Sequence, residues 1–396
     1  MKTTIYSLLS IFILSIAGCT KDNPGEKIAD AASYYDGGLG LSPGGGGSGG
    51  SGDSTQNQAG VITAGEWPDL ANWDFFTTVL KKEEYAKTPE NWNFYPTHRI
   101  SVKITGTNNL PQIDIPVLLK HNGQILYAAR TDNKGMAELF PNLFTNDQSI
   151  KEKDLQLDID NGNKIISDVK QFKDGVNTIV LPASQPSNNI DISFVIDATG
   201  SMGDELEYLK TELYDVLNNI KNSYPTYSVL TSAVMYRDEG DEYLTKSSPF
   251  DRTISTTLNF IKDQRADGGG DFPEAVHEGL NKAINNLEWS ANARTRLLFL
   301  VLDAPPHANA EVVGKLQNLL KLASEKGIKI IPVTASGIDK DTEILMRLLS
   351  VATNGTYVFI TNDSGVGDTH LEPTVGDYKV EFLNKLMIRL IKHYAE

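Results

Sequence analysis

The sequence predicts a doubly wound, mostly parallel α/β sheet in its C-terminal half, preceded by a small antiparallel β-sandwich. Three observations carry this. Ile190–Ile196 reads as a strand, and the apolar runs Leu297–Leu302 and Ile328–Val333 are nearly continuous, as in strands buried on both faces. Between such runs, apolar residues recur at helical spacing, as in Leu206, Leu209, Leu213, Leu217 and Ile220. Before residue 187 the period is two, with Ile100, Val102 and Ile104 alternating with Ser101, Lys103 and Thr105. Strands alternating with helices make a parallel sheet covered on both faces, whereas half-buried strands joined by short turns pair antiparallel.

The chain has 396 residues, enough for two or three ordinary cores. At its start Lys2 precedes an apolar run from Ile5 to Ala17, too short to span a bilayer comfortably. The run ends in Ile16-Ala17-Gly18-Cys19, so residues 1–18 read as a signal peptide. That ending resembles a bacterial lipobox, which implies cleavage before Cys19 and lipid attached to it. Cys19 is the only cysteine, so an internal disulfide is excluded. Several acyl chains give stable anchoring. The resemblance therefore implies a lipoprotein of the cell envelope, held to the outer membrane with a periplasmic or surface face. Thr20-Lys21-Asp22-Asn23 is similar to export signals of Bacteroidetes surface lipoproteins.

Residues 19–64 are expected to be a tether. Positions 37–52 hold ten glycines and three serines, which bury no core, and such a run spans roughly 22 Å end to end. Residues 65–97 form an aromatic-rich lead-in with Trp67, Trp73, Phe75, Phe76, Tyr85, Trp92, Phe94 and Tyr95, expected to pack on the next domain. A short helix is expected over Asn72–Lys82. Residues 98–182 form the sandwich, with Asn122-Gly123 as a hairpin turn and Asp132-Asn133-Lys134-Gly135 as a second turn. Pro111, Pro116 and Pro141 fall at strand edges or loops, and Val176, Ile179 and Leu181 suggest a last strand. Residues 129–139 are similar to the Thr-Asp-x-x-Gly-x-Ala turn of carboxypeptidase-regulatory-like and prealbumin-type sandwiches.

Residues 187–396 form the α/β domain. Helices are expected at Ala275–Leu287, with Pro273 in the first turn, and over Val312 to Ala323, stopped by Gly327. Further helices follow over Asp341–Ala352 and from Val380 to Ile391, and strands over Tyr227–Tyr236 and Tyr357–Ile360.

Ligands of such sheets sit beyond the carboxyl ends of the strands. Asp197 follows the first strand, with Thr199 and Ser201 at alternate positions, and Asp303 follows Leu297–Leu302. Asp271 follows Gly268-Gly269-Gly270 in a loop before a helix. Hydroxyl and carboxylate oxygens in this pattern suit one hard divalent cation, Mg²⁺ first, with Ca²⁺ and Mn²⁺ as alternatives. Asp204 and Glu205 read instead as helix-dipole partners, Asp238 as a turn residue or partner of Arg237, and His307 as a solvated loop histidine.

These motifs, in order, resemble the von Willebrand factor A domain and its metal-ion-dependent adhesion site. The family's Asp-x-Ser-x-Ser appears as Asp197-Ala198-Thr199-Gly200-Ser201, and its last aspartate falls on Asp303. Tyr236-Arg237-Asp238, Gly268-Gly269-Gly270-Asp271-Phe272-Pro273-Glu274 and Asp303-Ala304-Pro305-Pro306-His307 resemble the hemicentin-like and alpha-kinase-associated branch. The family's threonine ligand is missing, and Asp271 stands in its loop. The metal set implied is Asp197, Thr199, Ser201, Asp271 and Asp303. Carboxylates about 4 Å apart repel by about 4 kcal/mol per pair at an effective dielectric of 20, a repulsion that a cation converts to coordination.

A formal net charge of −15 argues against a nucleic-acid partner. The resemblance implies a binding module that captures a protein partner through a carboxylate on the open side of the cation. Two other classes stand beside it: a structural or assembly subunit whose metal stabilises the fold, and a metal-dependent hydrolase. No dedicated general base accompanies the site, so no enzymatic activity is expected.

Overall fold

The computed structural model describes residues 59–147 and 149–396; the expected signal peptide, Cys19 and the glycine-rich run 37–52 lie outside them. The chain begins with β1 (Thr63–Trp67), α1 (Trp73–Val79) and α2 (Lys87–Trp92). Seven strands follow: β2 (Ile100–Gly106), β3 (Pro116–His121), β4 (Gln124–Arg130), β5 (Met136–Leu139), β6 (Leu155–Ile159), β7 (Lys164–Ile166) and β8 (Asn177–Leu181). The α/β region then runs β9 (Asn189–Asp197), α3 (Gly203–Ser223), β10 (Ser228–Tyr236), β11 (Thr245–Asp251), α4 (Ile254–Lys262) and α5 (Val276–Asn286). It closes with β12 (Thr295–Leu302), α6 (Ala310–Lys326), β13 (Ile328–Thr334), α7 (Lys340–Ala352), β14 (Tyr357–Ile360), β15 (Glu381–Phe382) and α8 (Leu383–Ala395).

The large sheet has the order β11-β10-β9-β12-β13-β14-β1-β15. Strands β10, β9, β12, β13 and β14 pair in parallel. The β10–β11, β14–β1 and β1–β15 pairs are antiparallel. Alternate strand residues enter two cores, as the period of two demands. Ile190, Ile192, Phe194 and Ile196 join the apolar faces of α3, α4 and α8, while Val195, Leu298, Leu300 and Leu302 join those of α5, α6 and α7. The mostly parallel α/β expectation is met. Asn309 caps α6 by accepting from the Val312 N–H at 3.0 Å, worth about 1 kcal/mol, and Gly327 ends it in the left-handed region.

Several boundaries differ from the sequence reading. The tether was expected to reach residue 64, yet Ile62 and Ala64 are fully buried and β1 is inserted between β14 and β15. The Gly60 and Val61 N–H groups donate to Glu212 at 2.9 and 3.0 Å, which fixes the chain before the strand. Pro273 lies before α5 rather than in its first turn, and Val380 is exposed outside α8. Strand β11 and helix α4 were not expected; β11 is a half-exposed edge strand whose residues show no clean alternation.

Strands β2 to β8 form two small sheets, β5-β2-β8 and β4-β3-β6-β7. The second is antiparallel throughout; in the first, β2 pairs antiparallel with β5 but parallel with β8, contrary to the all-antiparallel expectation. The β3–β4 hairpin turns on Asn122 and Gly123, both with positive φ, as a type I′ turn requires.

These sheets are not a free spacer. Their inward residues Val102, Leu119 and Leu157 share one apolar cluster with Leu316, Leu320 and Leu345 of the α/β region. Asp114 receives Arg296 of β12 at 2.8 and 3.0 Å, and the Tyr127 hydroxyl donates to the Ala352 carbonyl. The lead-in aromatics Phe76, Tyr85, Trp92 and Phe94 are buried in the same cluster, as expected.

Arg347 of α7 is fully buried and grips Asp69 through two nitrogens at 2.6 and 2.9 Å. It also donates to the Thr374 carbonyl at 2.6 Å. Burial still pushes the Asp69 carboxyl up against the pull of Arg347. Removing one partner strands the other charge without water. Arg347→Ala is therefore expected to lose about 3–5 kcal/mol of stability, seen as a lower urea midpoint at unchanged slope.

Candidate metal centre

The order of the parallel strands reverses between β9 and β12, since β9 leads through α3 to β10 on one side while β12 lies on the other. Such a switch point opens a crevice at the carboxyl ends of the two strands. Asp197 is the last residue of β9 and Asp303 directly follows β12, so topology alone brings these two carboxylates together.

The turn after β9 folds on itself. One oxygen of Asp197, Oδ1, accepts from the Thr199 N–H at 2.9 Å and from its hydroxyl at 2.7 Å. Thr199 Oγ1 and Ser201 Oγ lie 3.4 Å apart. Ser201 is exposed, whereas Asp197, Thr199 and Asp303 are buried.

Three neighbouring segments brace this turn. The Arg237 guanidinium donates to the carbonyls of Ala198 at 3.1 Å and Arg265 at 2.8 Å. The Gly200 N–H donates to the Gly268 carbonyl at 3.1 Å. Asp241 accepts from the N–H groups of Gly269 at 2.9 Å and Asp238 at 3.0 Å. The Tyr236-Arg237-Asp238 motif thus ties the glycine loop to the Asp197 turn. Asp238 pairs with His307 at 2.8 Å rather than with Arg237, so His307 is not the solvated histidine expected.

Asp271 does not join the cluster. It is exposed, as is Phe272 beside it. The loop presents Glu274 instead, only 3% exposed, its N–H donating to the Pro305 carbonyl at 2.9 Å. Asp204 and Glu205 lie in the first turn of α3, as a helix-dipole role requires; Asp204 is exposed, whereas Glu205 is buried and receives the Ser336 hydroxyl. Glu274 was present in the Pro-Glu motif; Pro273 keeps only Phe272 out of helix, and it is the bridge from Glu274 to Pro306 that holds residue 274 ahead of α5.

Burial and mutual charge dominate the electrostatics. Burial, then the Asp303 charge, pushes Asp197 up to about 7 against its bonds from Thr199. Burial and the charges of Asp197, Asp238, Asp303 and Asp241 push Glu274 up to about 8. Burial raises Asp303 to about 6, with the Ser201 hydroxyl pulling the other way and Glu205 adding to the rise. Buried Tyr236, beside Asp197 and Asp303, is held well above the usual phenol range.

One oxygen of each acid, Asp197 Oδ2, Asp303 Oδ1 and Glu274 Oε2, is buried without a hydrogen-bond partner, as is the Tyr236 hydroxyl. Among the described residues, no three His, Cys, Asp or Glu side chains are drawn close enough to enclose an ion by themselves. The donor set is nonetheless all oxygen, with Thr199 and Ser201 hydroxyls beside the orphaned carboxylates, and it fits a hard divalent cation.

Fold and site together define an α/β domain with an oxygen-lined centre at its switch point. Residues 191–374 match the von Willebrand factor A domain. Domains of this family commonly bind divalent cations at the adhesion site. Over 118 residues the chain is 36% identical to a putative ariadne-like RING finger protein of Acanthamoeba polyphaga mimivirus, covering 30% of this chain and 11% of that protein. Over 131 residues it is 29% identical to the alpha-protein kinase vwkA of Dictyostelium discoideum, covering 33% and 20%. The chain thus spans a fifth or less of these relatives. Among solved structures, the pilus adhesin SpaC of Lactobacillus rhamnosus GG aligns at 14% identity and a TM-score of 0.38, over 53% of this chain and 31% of that one. The conserved hypothetical protein BatB of Bacteroides thetaiotaomicron aligns at 13% and 0.35, over 52% and 98%.

Raised carboxylates carry a signed consequence. Unfolded, these acids ionise near pH 4. Folded, they hold protons until about 6, 7 and 8 for Asp303, Asp197 and Glu274. Stability from this cluster is therefore full below pH 4 and is lost as pH rises toward 8. In chelator, the melting temperature should fall across that window more steeply in the native protein than in Asp197→Asn; saturating Mg²⁺ should flatten the native slope.

Proposed function

We propose that the protein is a lipid-anchored binding protein of the cell envelope that captures a protein partner through a divalent cation. The observation that carries this reading is the set of unpartnered buried oxygens of Asp197, Asp303 and Glu274 at the switch point, next to exposed Ser201. Asp197, Asp303, Thr199 and Ser201 would hold the cation, which would supply a Lewis-acidic point of attachment for a partner's carboxylate. The exposed Phe272, 45% accessible on the same loop as Glu274, offers that partner an apolar contact beside the metal. No helix among the described residues is long and apolar enough to cross a membrane. Attachment rests on Cys19 and the lipobox-like run before it.

The metal reading is tested by melting residues 55–396, which form one compact unit, in chelator and then in Mg²⁺, Ca²⁺ or Mn²⁺. A cation at 100 times its dissociation constant should stabilise the fold by about 2.7 kcal/mol, and Asp197→Ala should abolish the shift. An equal shift in that variant would point to a cation held elsewhere.

The anchor is tested by separating membranes from soluble material. Full-length protein should sediment with membranes and incorporate labelled fatty acid. Cys19→Ser should lose the label; retention of label in the variant rejects Cys19 as the lipid site.

A further inference from the structure

Acids that brace loops around this centre are satisfied: Asp241 takes two backbone N–H groups and Asp238 takes His307. Glu274 differs. Its backbone is fixed by the Pro305 carbonyl and bridges to Pro306, on the segment that leads away from Asp303. Its side chain is buried with Oε2 unpartnered. A Cβ placed on Gly269 would stand 2.8 Å from Glu274 Oε1 and 3.3 Å from Thr199 Cβ, so Glu274 and Thr199 flank the same stretch of backbone. Gly269 has φ of +74°, a conformation that, with this crowding, keeps a side chain from coming between them.

A buried carboxylate with a free oxygen, within reach of the charges of Asp197 and Asp303, is costly unless a cation balances it. From this geometry we propose that Glu274 is a direct ligand of the divalent cation, filling from within the chain the position a partner's carboxylate would take. The proposal rests on the metal reading above. As they stand, the three carboxylates do not enclose an ion; drawn in around a doubly charged one, they would leave a net charge of −1, so a fourth carboxylate would enter by displacing one. Asp197 is held by the end of β9 and by Thr199, and Asp303 follows β12 directly. Glu274 has the longest side chain of the three and sits on a loop, so it is the one that yields. Capture by this centre is then an exchange of an internal for an external carboxylate.

Calorimetric titration with Mn²⁺ tests the assignment on residues 55–396, with and without acetate as the carboxylate probe. Glu274→Gln should weaken Mn²⁺ binding at least about tenfold, the lower end of what altering even an outer-shell partner does. Asp271→Asn should leave it unchanged. Acetate should tighten Mn²⁺ binding to Glu274→Gln and have little effect on the native protein. Native affinity in Glu274→Gln, or a loss confined to Asp271→Asn, overturns the ligand assignment, and an equal acetate response in both proteins overturns the exchange. If Glu274→Gln does not fold, Glu274→Asp carries the same comparison, with unchanged affinity again overturning it. Absence of Mn²⁺ binding in the native protein overturns the metal reading itself.

Discussion

Like charges shut away from water at the ends of two adjacent parallel strands are the constraint on which the rest of the centre depends. Asp197 and Asp303 cannot move apart, because β9 and β12 are paired over seven positions from Ile190 to Ile196. Nor do they reach water, being 0% and 5% exposed. The surroundings answer with neutral braces rather than with a counter-charge. Arg237, the nearest guanidinium in the motif, is spent on two carbonyls and on the ring of Tyr243. Tyr236 closes the floor, and it does so because α5 carries Gly279 against it. A Cβ there would stand 2.6 Å from the Tyr236 ring and 3.1 Å from Val195. A side chain at 279 would lift the helix from the sheet and admit water behind Asp197.

The same sheet is extended on its far side by residues from outside the family segment. β1 adds a strand next to β14, although the two are separated by almost 300 residues. The lead-in also supplies Asp69 to Arg347, so α7 is fixed to residues that precede the domain in sequence. Asp114 ties the small sheets to β12 through Arg296, at the end of the strand opposite Asp303. The small sheets, lead-in and α/β domain therefore share one core, and β12, which ends beside Asp303, is anchored at its start by the small sheets.

How much of this was legible follows from range. The parallel strands and their helices were readable because each carries its own periodicity, and the Asp197–Ser201 turn because its oxygens lie two residues apart. The position of Asp303 followed from strand ends alone. What failed depends on pairing distant in sequence. β1 is short, contains Gly65 packed under the Phe359 and Tyr378 rings, and gains its strand character from β14 and β15. The exchange of Asp271 for Glu274 is of the same kind. Proximity to the three glycines pointed to Asp271, but the bond from Glu274 to Pro305, between segments thirty residues apart, decides which acid turns inward. The parallel β2–β8 pair was missed for that reason too, since alternation marks a strand but not the direction of its neighbour.

Charge finally narrows the kind of surface that this centre can meet. The chain carries a net charge of −15, and beyond contact range that field repels an acidic partner. At physiological ionic strength the repulsion fades over about 8 Å, so it governs approach rather than the bound state. A carboxylate destined for the cation is then best delivered from a surface that is otherwise neutral or basic. On the proposed reading such a surface would satisfy two demands at once: the net negative charge of the chain would draw in the basic surround, and a cation released from Glu274 would take the single acid. Acidic polymers meet the second demand and fail the first. On that reading discrimination would come from the charge of the whole protein, and the proposed cation would supply register.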